Sequence, residues 1–327
     1  MALDNDDERI HSLNFVSVQL NRFLSPTVFI FGVVGNILNC LVLSQRTLRS
    51  NPCALLFLVS SFIDLISIVI GLPPRILAGW NLDPTANISS LCKLRAFIVF
   101  STRTMATWLI TIATIDRWLL SSVNIHRRLM STVKNAQYSM LITLILSILS
   151  FVHMFYCYEA NLTDTPLECY GKSQTCRFFT DMIYTLITII IPLILMVVFG
   201  LMTISNVHHV RVRVQQTMNN SMTQLSARTK DSKFRRLDHH LFRMLLIQIV
   251  LLIILCVPQA IQKFHVTFKP FDSESKFEDA VRHFLYNITL LLAFIASGMP
   301  FYIYTLAGGK VFRQTFFDFI RNMFTRG

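Results

Sequence analysis

Long apolar stretches without charged residues recur along the chain. They cover residues 24–44, 135–158, 182–207, 244–262 and 283–309, and two similar stretches, 52–74 and 96–115, hold one charge each. An α-helix of roughly 20 residues crosses about 30 Å of hydrocarbon. The pattern therefore predicts seven membrane-spanning helices, at about residues 24–46, 52–79, 92–123, 136–158, 178–208, 238–264 and 282–306.

The predicted fold class is an all-α membrane protein, a seven-transmembrane helix bundle with a short amphipathic C-terminal helix. We assign residues 1–23 to an extracellular N-terminal tail and residues 24–308 to the bundle. Residues 309–327 are assigned to the amphipathic helix and a short cytoplasmic tail, because apolar residues recur there at helical spacing with basic residues beside them.

Charge changes the picture by giving the bundle an orientation. The chain has 30 basic and 18 acidic residues, a net charge of +12. With the N-terminus outside, 18 of the basic residues and four of the acidic ones fall on the cytoplasmic side. Cytoplasmic loops of membrane proteins are enriched in Lys and Arg. The basic excess is thus a topology signal, which favours acidic membrane lipids as partners and argues against nucleic acid.

The proposed outer loops carry marks of an oxidising, glycosylating compartment. The sequons at Asn87 and Asn161 lie there and predict N-glycosylation. Four of the seven cysteines lie at or beyond the outer face, where disulfides persist. These are Cys92, Cys157, Cys169 and Cys176.

Several short motifs lie at the two ends of the third span, and further distinctive residues lie in the other spans. Asp116-Arg117-Trp118 ends that span, and Cys92 lies 25 residues before Arg117. Alone, the triplet could be a helix-end charge pair with an aromatic anchor. Further marks in order along the chain are Gly35-Asn36, Asp64, Pro73-Pro74, Trp80, Pro192 and Pro258.

In the order and spacing of these marks, the chain resembles rhodopsin-like (class A) G protein-coupled receptors over about residues 25–325. The resemblance implies a plasma-membrane receptor that binds an extracellular ligand and activates a heterotrimeric G protein. A receptor-like binding protein without G protein coupling and, more remotely, a membrane transporter are the alternatives. No hydrolase or phosphate-binding motif appears, and the histidines lack metal-ligand spacing, so neither an enzyme nor a metal site is expected.

The sixth and seventh spans depart from the family pattern. Cys256 stands where the family usually has a Trp before Pro258. In the seventh span, alignment on Pro300 places Ile303 at the family's tyrosine position, whereas the alternative register places Tyr304 there. We favour Tyr304, because a side chain capable of hydrogen bonding is then retained.

Two ionisable residues lie at membrane depth, where they are costly and functional by default. Asp64, with Asn36 and Ser297, matches the place where the family holds a sodium ion; otherwise it is a protonated structural aspartate. Arg103 lies 14 residues before Arg117, nearly four turns, so both point toward the bundle interior. Arg103 could hold a carboxylate or carbonyl of a ligand, or it could pair with Asp64.

The resemblance places a ligand site around Arg103. Its predicted members are Arg103, Val99, Gln259, Gln262 and His283. Val99 stands where amine-binding members carry an Asp, and residues 283–309 lack the Lys of retinal-binding members. The remaining ligand class is a peptide with an amidated or acidic end, as in invertebrate neuropeptide-like receptors.

The same resemblance implies a signalling switch and disulfides. The switch comprises Asp116, Arg117, Asp238 and Tyr304, with Arg117 bonded to Asp238 or, alternatively, Asp238 solvated among neighbouring arginines. Cys169 is the preferred partner of Cys92, with Cys176 the other candidate. Cys157 and Cys176 could form a second bridge.

Overall fold

The computed structural model describes residues 2–162, 165, 167–218, 228–268 and 276–307, without the side chains of 2–6, 46, 47, 208–218, 228–240, 306 and 307. In these residues seven helices are long and apolar enough to cross a membrane. They confirm the predicted all-α, seven-helix fold class. The amphipathic helix predicted at 309–327 lies outside the described residues.

We number the spanning helices α1 to α7. Helix α1 joins Ala2–Gln19, a π-helical turn at Leu20–Leu24 and Ser25–Leu43; α2 is Pro52–Ala78; α3 is Ser89–Ser121; and α4 joins Val133–Phe151 and Met154–Cys157. Helix α5 joins Gln174–Ile183, a π-helical segment at Tyr184–Ile190 and Ile191–Met218; α6 is Arg228–Phe268; and α7 joins Lys276–Gly298 and Pro300–Ala307. Short helices at Arg46–Arg49, Pro84–Asn87 and Ile125–Leu129 connect them, and strands β1 (Tyr158–Glu159) and β2 (Tyr170–Gly171) form an antiparallel hairpin between α4 and α5.

Polar side chains define where several of these helices begin. Asn51, Thr132 and Ser173 each accept a hydrogen bond from a backbone N–H in the first turn of α2, α4 and α5. Such N-caps satisfy donors that lack an intrahelical partner. The starts of α2, α4 and α5 are therefore marked in the sequence by residues that favour the N-cap position.

Helix α1 begins far earlier than predicted. The prediction of a start at residue 24 was wrong, because the preceding residues continue the helix from Ala2. This segment contains no Gly or Pro, and it packs against α7, where Asn287 Nδ2 donates to Ser17 Oγ at 3.0 Å. The acidic composition of this segment gave no sign of a spanning helix in the sequence, and the helix is stabilised by its tertiary contacts with α7. Its assignment as an extracellular tail stays a prediction.

Burial follows the pattern expected of a membrane protein. Polar side chains such as Asn36, Asn39 and Thr111 are fully buried, whereas large apolar ones such as Ile30 and Leu149 are exposed. In lipid, polar groups must find partners inside the bundle. Helix α3 lies at the centre and packs against α2, α4 and α5.

Close helix contact at α1 and α7 depends on glycine. A Cβ atom on Gly298 would lie 3.1 Å from the Cα of Gly32. Helix α7 is then interrupted at Met299 and restarts at Pro300, in keeping with a proline at the first helical position. This interruption sets the direction of the segment that carries Tyr304.

Two disulfides tie one end of the bundle together. Cys92 of α3 is bonded to Cys169 beside β2, and Cys157 of α4 to Cys176 of α5. Both predicted bridges are confirmed. We call this end of the bundle the disulfide end, and the opposite end of α3 the Arg117 end.

Candidate functional site

A cavity that is partly open to the surface lies between the helices at the disulfide end. Its volume is about 60 Å³. The polar lining residues come from α2, α3, the hairpin and α5 to α7. They are Arg75, Arg95, Arg103, Tyr158, Tyr170, Tyr184, Gln259, Lys263 and Tyr286.

Lys263 of α6 is paired within this wall. Its Nζ lies 2.6 Å from Asp181 Oδ1 of α5, and the two side chains are 1% and 2% exposed. The ammonium also lies between 5.2 and 5.7 Å from the ring centroids of Phe100, Tyr170, Tyr184 and Tyr286. Desolvation and ring quadrupoles both strengthen such a contact.

Tyr170 brings the hairpin into the same cluster. Burial raises the pKa of Tyr170 well above its ordinary value, so the phenol stays protonated. It donates to Asp181 Oδ2 at 2.8 Å. Asp181 therefore joins α5, α6 and β2 through one carboxylate.

Arg95 of α3 is also satisfied by the protein. Its guanidinium donates to Thr85 Oγ1 at 2.9 Å and to the Gly71 carbonyl at 3.1 Å. Asp83 lies 3.9 Å away. The positive charge of Arg95 is thus compensated where α2 and α3 meet the short helix Pro84–Asn87.

Arg75 of α2 has a different environment. The side chain is 6% exposed, and its Nε and Nη2 atoms are buried without a hydrogen-bond partner among the described residues. An arginine keeps its charge in proteins. Its buried donors are therefore available to an acceptor in the cavity.

Arg103 separates the disulfide-end cavity from a second, central cavity of about 40 Å³, and lines both. Its guanidinium lies over the Phe294 ring at 4.9 Å. Asp64 lines the central cavity too, yet no ion pair within 4.0 Å joins the two among the described side chains. The structure brings the two charges together without pairing them.

The other predicted ligand residues divide into two groups. Val99 and Gln259 line the disulfide-end cavity with Arg103, and Tyr184 donates to Gln259 Oε1 at 3.1 Å. Gln262 and His283 are absent from the described lining. Gln262 instead donates to the Arg282 carbonyl at 3.2 Å.

The central cavity is a poor match for a resident sodium ion. Its described oxygen donors include the Asp64 carboxylate and Ser297, but Ala106 and Ala296 occupy two wall positions and offer no side-chain ligand. The Arg103 guanidinium lines the same space and opposes a second cation. Asn36 directs its Nδ2 to the carbonyls of Gly32 and Ser297. These residues do not fit the ion.

Tyr304 is turned into the bundle. It is 1% exposed, donates to Gln248 Oε1 of α6 at 2.7 Å and packs against Phe57 of α2. Gln248 in turn lines the central cavity. Tyr304 is thus hydrogen-bonded inside the bundle, and its correspondence to the family's tyrosine position stays a prediction.

At the Arg117 end, a buried charge cluster joins α3 to its neighbours. Arg117 donates to Asp116 Oδ2 at 2.7 Å and to Asn51 Oδ1 of α2 at 3.1 Å. Asp116 also accepts from Ser131 Oγ at 2.6 Å. The backbone of Asp238 lies in α6, but its side chain is outside the described ones, so the predicted Arg117 bond to Asp238 stays a prediction.

The two predicted glycosylation sequons lie side by side at the disulfide end. Asn87 and Asn161 are both exposed. Asn161 Nδ2 donates to the Asn87 carbonyl at 3.3 Å. Their exposure is compatible with glycosylation, which stays a prediction.

Sequence reasoning missed the residues that give the cavity its charge pattern. Arg75, Arg95, Lys263 and Asp181 were not among the predicted ligand residues. A signal was present, because Lys263 is the only Lys, Arg, Asp or Glu between Arg243 and Lys269 in the sequence. Only the fold shows which of these charges are paired.

Comparisons with known proteins agree with this arrangement. A family model described as "7 transmembrane receptor (rhodopsin family)" matches residues 35–304. Among curated proteins, the neuromedin U receptor homolog nmur-2 of Caenorhabditis elegans is 21% identical over 163 residues, which cover 50% of this chain and 40% of that protein. The matched segment thus spans less than half the length of this relative.

Proposed function

Because the chain belongs to the rhodopsin family of seven-transmembrane receptors, we propose that it binds an extracellular peptide and activates a heterotrimeric G protein. A receptor must couple a ligand site to a signalling surface through the bundle. One observation carries this proposal: a column of buried polar groups runs from the disulfide-end cavity through Arg103 and Gln248 to Tyr304. Arg103 lines both cavities, and Gln248 connects the central one to Tyr304.

We propose that the disulfide end is extracellular and that the chain resides in the plasma membrane. Both disulfides and both exposed sequons lie at this end, and disulfides persist in oxidising compartments. The order of the spans in the sequence assigns the basic excess to the opposite end, as the positive-inside rule requires of a cytoplasmic face. Acidic lipid headgroups and a G protein would meet it there.

A peptide ligand is supported by the chemistry of the disulfide-end cavity. Arginine and tyrosine side chains line it, with no acidic residue among its described walls. Such walls suit carbonyl and carboxylate acceptors together with aromatic or apolar side chains. The name of the nematode relative denotes a peptide receptor, which supports the same class of ligand for this chain.

The Arg117 cluster provides the proposed switch. In the proposed switch, the bond of Arg117 to Asn51 ties α3 to α2, and a ligand can favour a state without this bond only by binding that state more tightly. A lock between Arg117 and Asp238 remains part of the proposal. Asp238→Ala should raise basal signalling in an agonist-free assay, and no rise would argue against that lock.

The decisive experiment combines a peptide-library screen with nucleotide exchange on purified G protein. We expect a peptide to accelerate exchange with the intact chain and not with Arg117→Ala, while peptide binding to both is retained. Binding without exchange on any G protein would identify a receptor-like protein that does not couple. Substrate flux in proteoliposomes would instead identify a transporter.

A further inference from the structure

Four cationic side chains line the disulfide-end cavity, but the protein neutralises only two of them. Lys263 is paired with Asp181, and Arg95 is bonded to Thr85 and Gly71 and faces Asp83. Among the described residues, Arg75 Nε and Nη2 have no hydrogen-bond partner, and no ion pair within 4.0 Å reaches Arg75 or Arg103. The cavity therefore holds two guanidiniums without a direct acidic partner, because Asp83 and Asp64 act on Arg75 and Arg103 only from beyond ion-pair distance.

Both unpaired arginines are more than nine-tenths buried, with exposures of 6% and 7%. Burial of a charge without a partner is strongly unfavourable, and an arginine cannot relieve this by losing its proton. The contact of Arg103 with the Phe294 ring compensates only in part. An acceptor that enters the cavity would remove this penalty and gain charge-assisted hydrogen bonds.

The two arginines lie at different depths along α7. Arg103 lies over Phe294, whereas Arg75 interacts electrostatically with Tyr286. These α7 residues are two turns apart, a rise of roughly 12 Å at about 1.5 Å per residue. Because the two guanidiniums lie near different turns of α7, we assign each its own acceptor.

We propose, resting on the proposed receptor function, that this cavity binds a group carrying two carboxylates, one held by Arg75 and the other by Arg103. Two sources share this chemistry. One is a peptide that ends in Asp or Glu with a free C-terminal carboxylate, and the other is a free dicarboxylic acid. An amidated, neutral peptide end would leave both arginines without a negative partner.

The first test uses small dicarboxylates as probes of the purified protein in lipid nanodiscs. Succinate, glutarate, adipate and pimelate are compared with butyrate and with glutaramide at matched ionic strength, by binding and thermal shift. We expect dicarboxylate binding with an optimum chain length, and affinity weaker by about tenfold or more for the monocarboxylate and the diamide. Equal effects of all these compounds, or no effect beyond that of sodium chloride, would overturn the proposal.

Matched variants assign the two carboxylates to their arginines. Arg75→Gln and Arg103→Gln should each abolish the preference for dicarboxylate over butyrate, while Lys172→Gln, the same charge change on an exposed side chain, should retain it. Arg75→Lys and Arg103→Lys keep the charge, so each should retain a weakened preference for dicarboxylate over butyrate. These Lys variants also provide the test if a Gln variant does not fold. A full preference in either Gln variant would refute the assignment.

Peptide arms distinguish the source and separate this inference from the proposed function. Ac-Phe-Gly-Glu with a free carboxylate is compared with its amide and with Ac-Phe-Gly-Gln-amide. Tighter binding of the free acid than of adipate points to a peptide end, and the reverse points to a free dicarboxylic acid. Binding of two-carboxylate probes without nucleotide exchange would contradict the proposed function alone. Exchange driven by a neutral amidated peptide and unchanged in Arg75→Gln would contradict this inference alone.

Discussion

The buried pair of Lys263 and Asp181 should be a major determinant of stability at the disulfide end. At 2.6 Å and an effective dielectric constant of about 20, the attraction between the charges is about 6 kcal/mol. Desolvation offsets much of this. The loss of one partner, however, strands the other charge, which costs about 3–5 kcal/mol. We expect losses of that size for Asp181→Leu and for Lys263→Met.

The double variant separates the charge effect from the loss of packing. Asp181→Leu with Lys263→Met removes both charges and fills the space with apolar groups, so it should be more stable than either single variant. Apparent Tm values of the purified protein, taken at one scan rate because heating can be irreversible, provide the comparison. Lys172→Met, an exposed control, should leave the apparent Tm nearly unchanged.

Two results would refute this reasoning. Single variants within about 1 kcal/mol of the unmodified chain would mean that the pair is solvated or relaxes when broken. A double variant less stable than both singles would mean that packing, rather than the stranded charge, dominates. Either result would also weaken the view that Asp181 links α5, α6 and the hairpin.

Three further predictions follow from other contacts. Replacing Cys157 and Cys176 together by Ser should cost about 3 kcal/mol, as for a closed loop of similar length, with the Cys92 bridge still found by non-reducing peptide mapping. Gln248→Leu removes the Gln248 acceptor of the buried Tyr304 hydroxyl, so the apparent Tm should fall. On the proposed function, basal nucleotide exchange should also change. An unaltered Tm would show that the bond does not contribute to stability. Replacement of sodium chloride by potassium chloride at equal ionic strength should leave the apparent Tm unchanged. A rise of the apparent Tm that is specific to sodium and absent in Asp64→Asn would contradict the conclusion that the central cavity does not fit a sodium ion.

Much of the architecture is determined by the sequence alone. Each span is an apolar run of about 20 residues or more, uncharged in five cases and with one charge in the other two, and a helix is the way a single segment satisfies its backbone in lipid. That local requirement predicts the number and order of the helices. It does not predict where α1 begins, because the acidic segment before residue 24 is helical through its contact with α7.

Only some of the residues that line the site could be predicted from the sequence. Arg103, Val99 and Gln259 were predicted from the resemblance, and they line the cavity. Gln262 shares a helix with Gln259 but donates to the Arg282 carbonyl, because three residues along a helix turn a side chain by about 60° and move it by about 4.5 Å along the axis. Small differences in helix rotation decide such cases.

The sequence by itself determined that this is a seven-helix membrane protein with a charge at the depth of Arg103. Only the tertiary structure decided which charges neutralise each other. Lys263 meets Asp181 across 82 residues of chain, while Arg75 and Arg103 meet no described acid within ion-pair distance. Pairing depends on distances of a few ångströms between different helices, and those distances arise from packing, which no local pattern encodes.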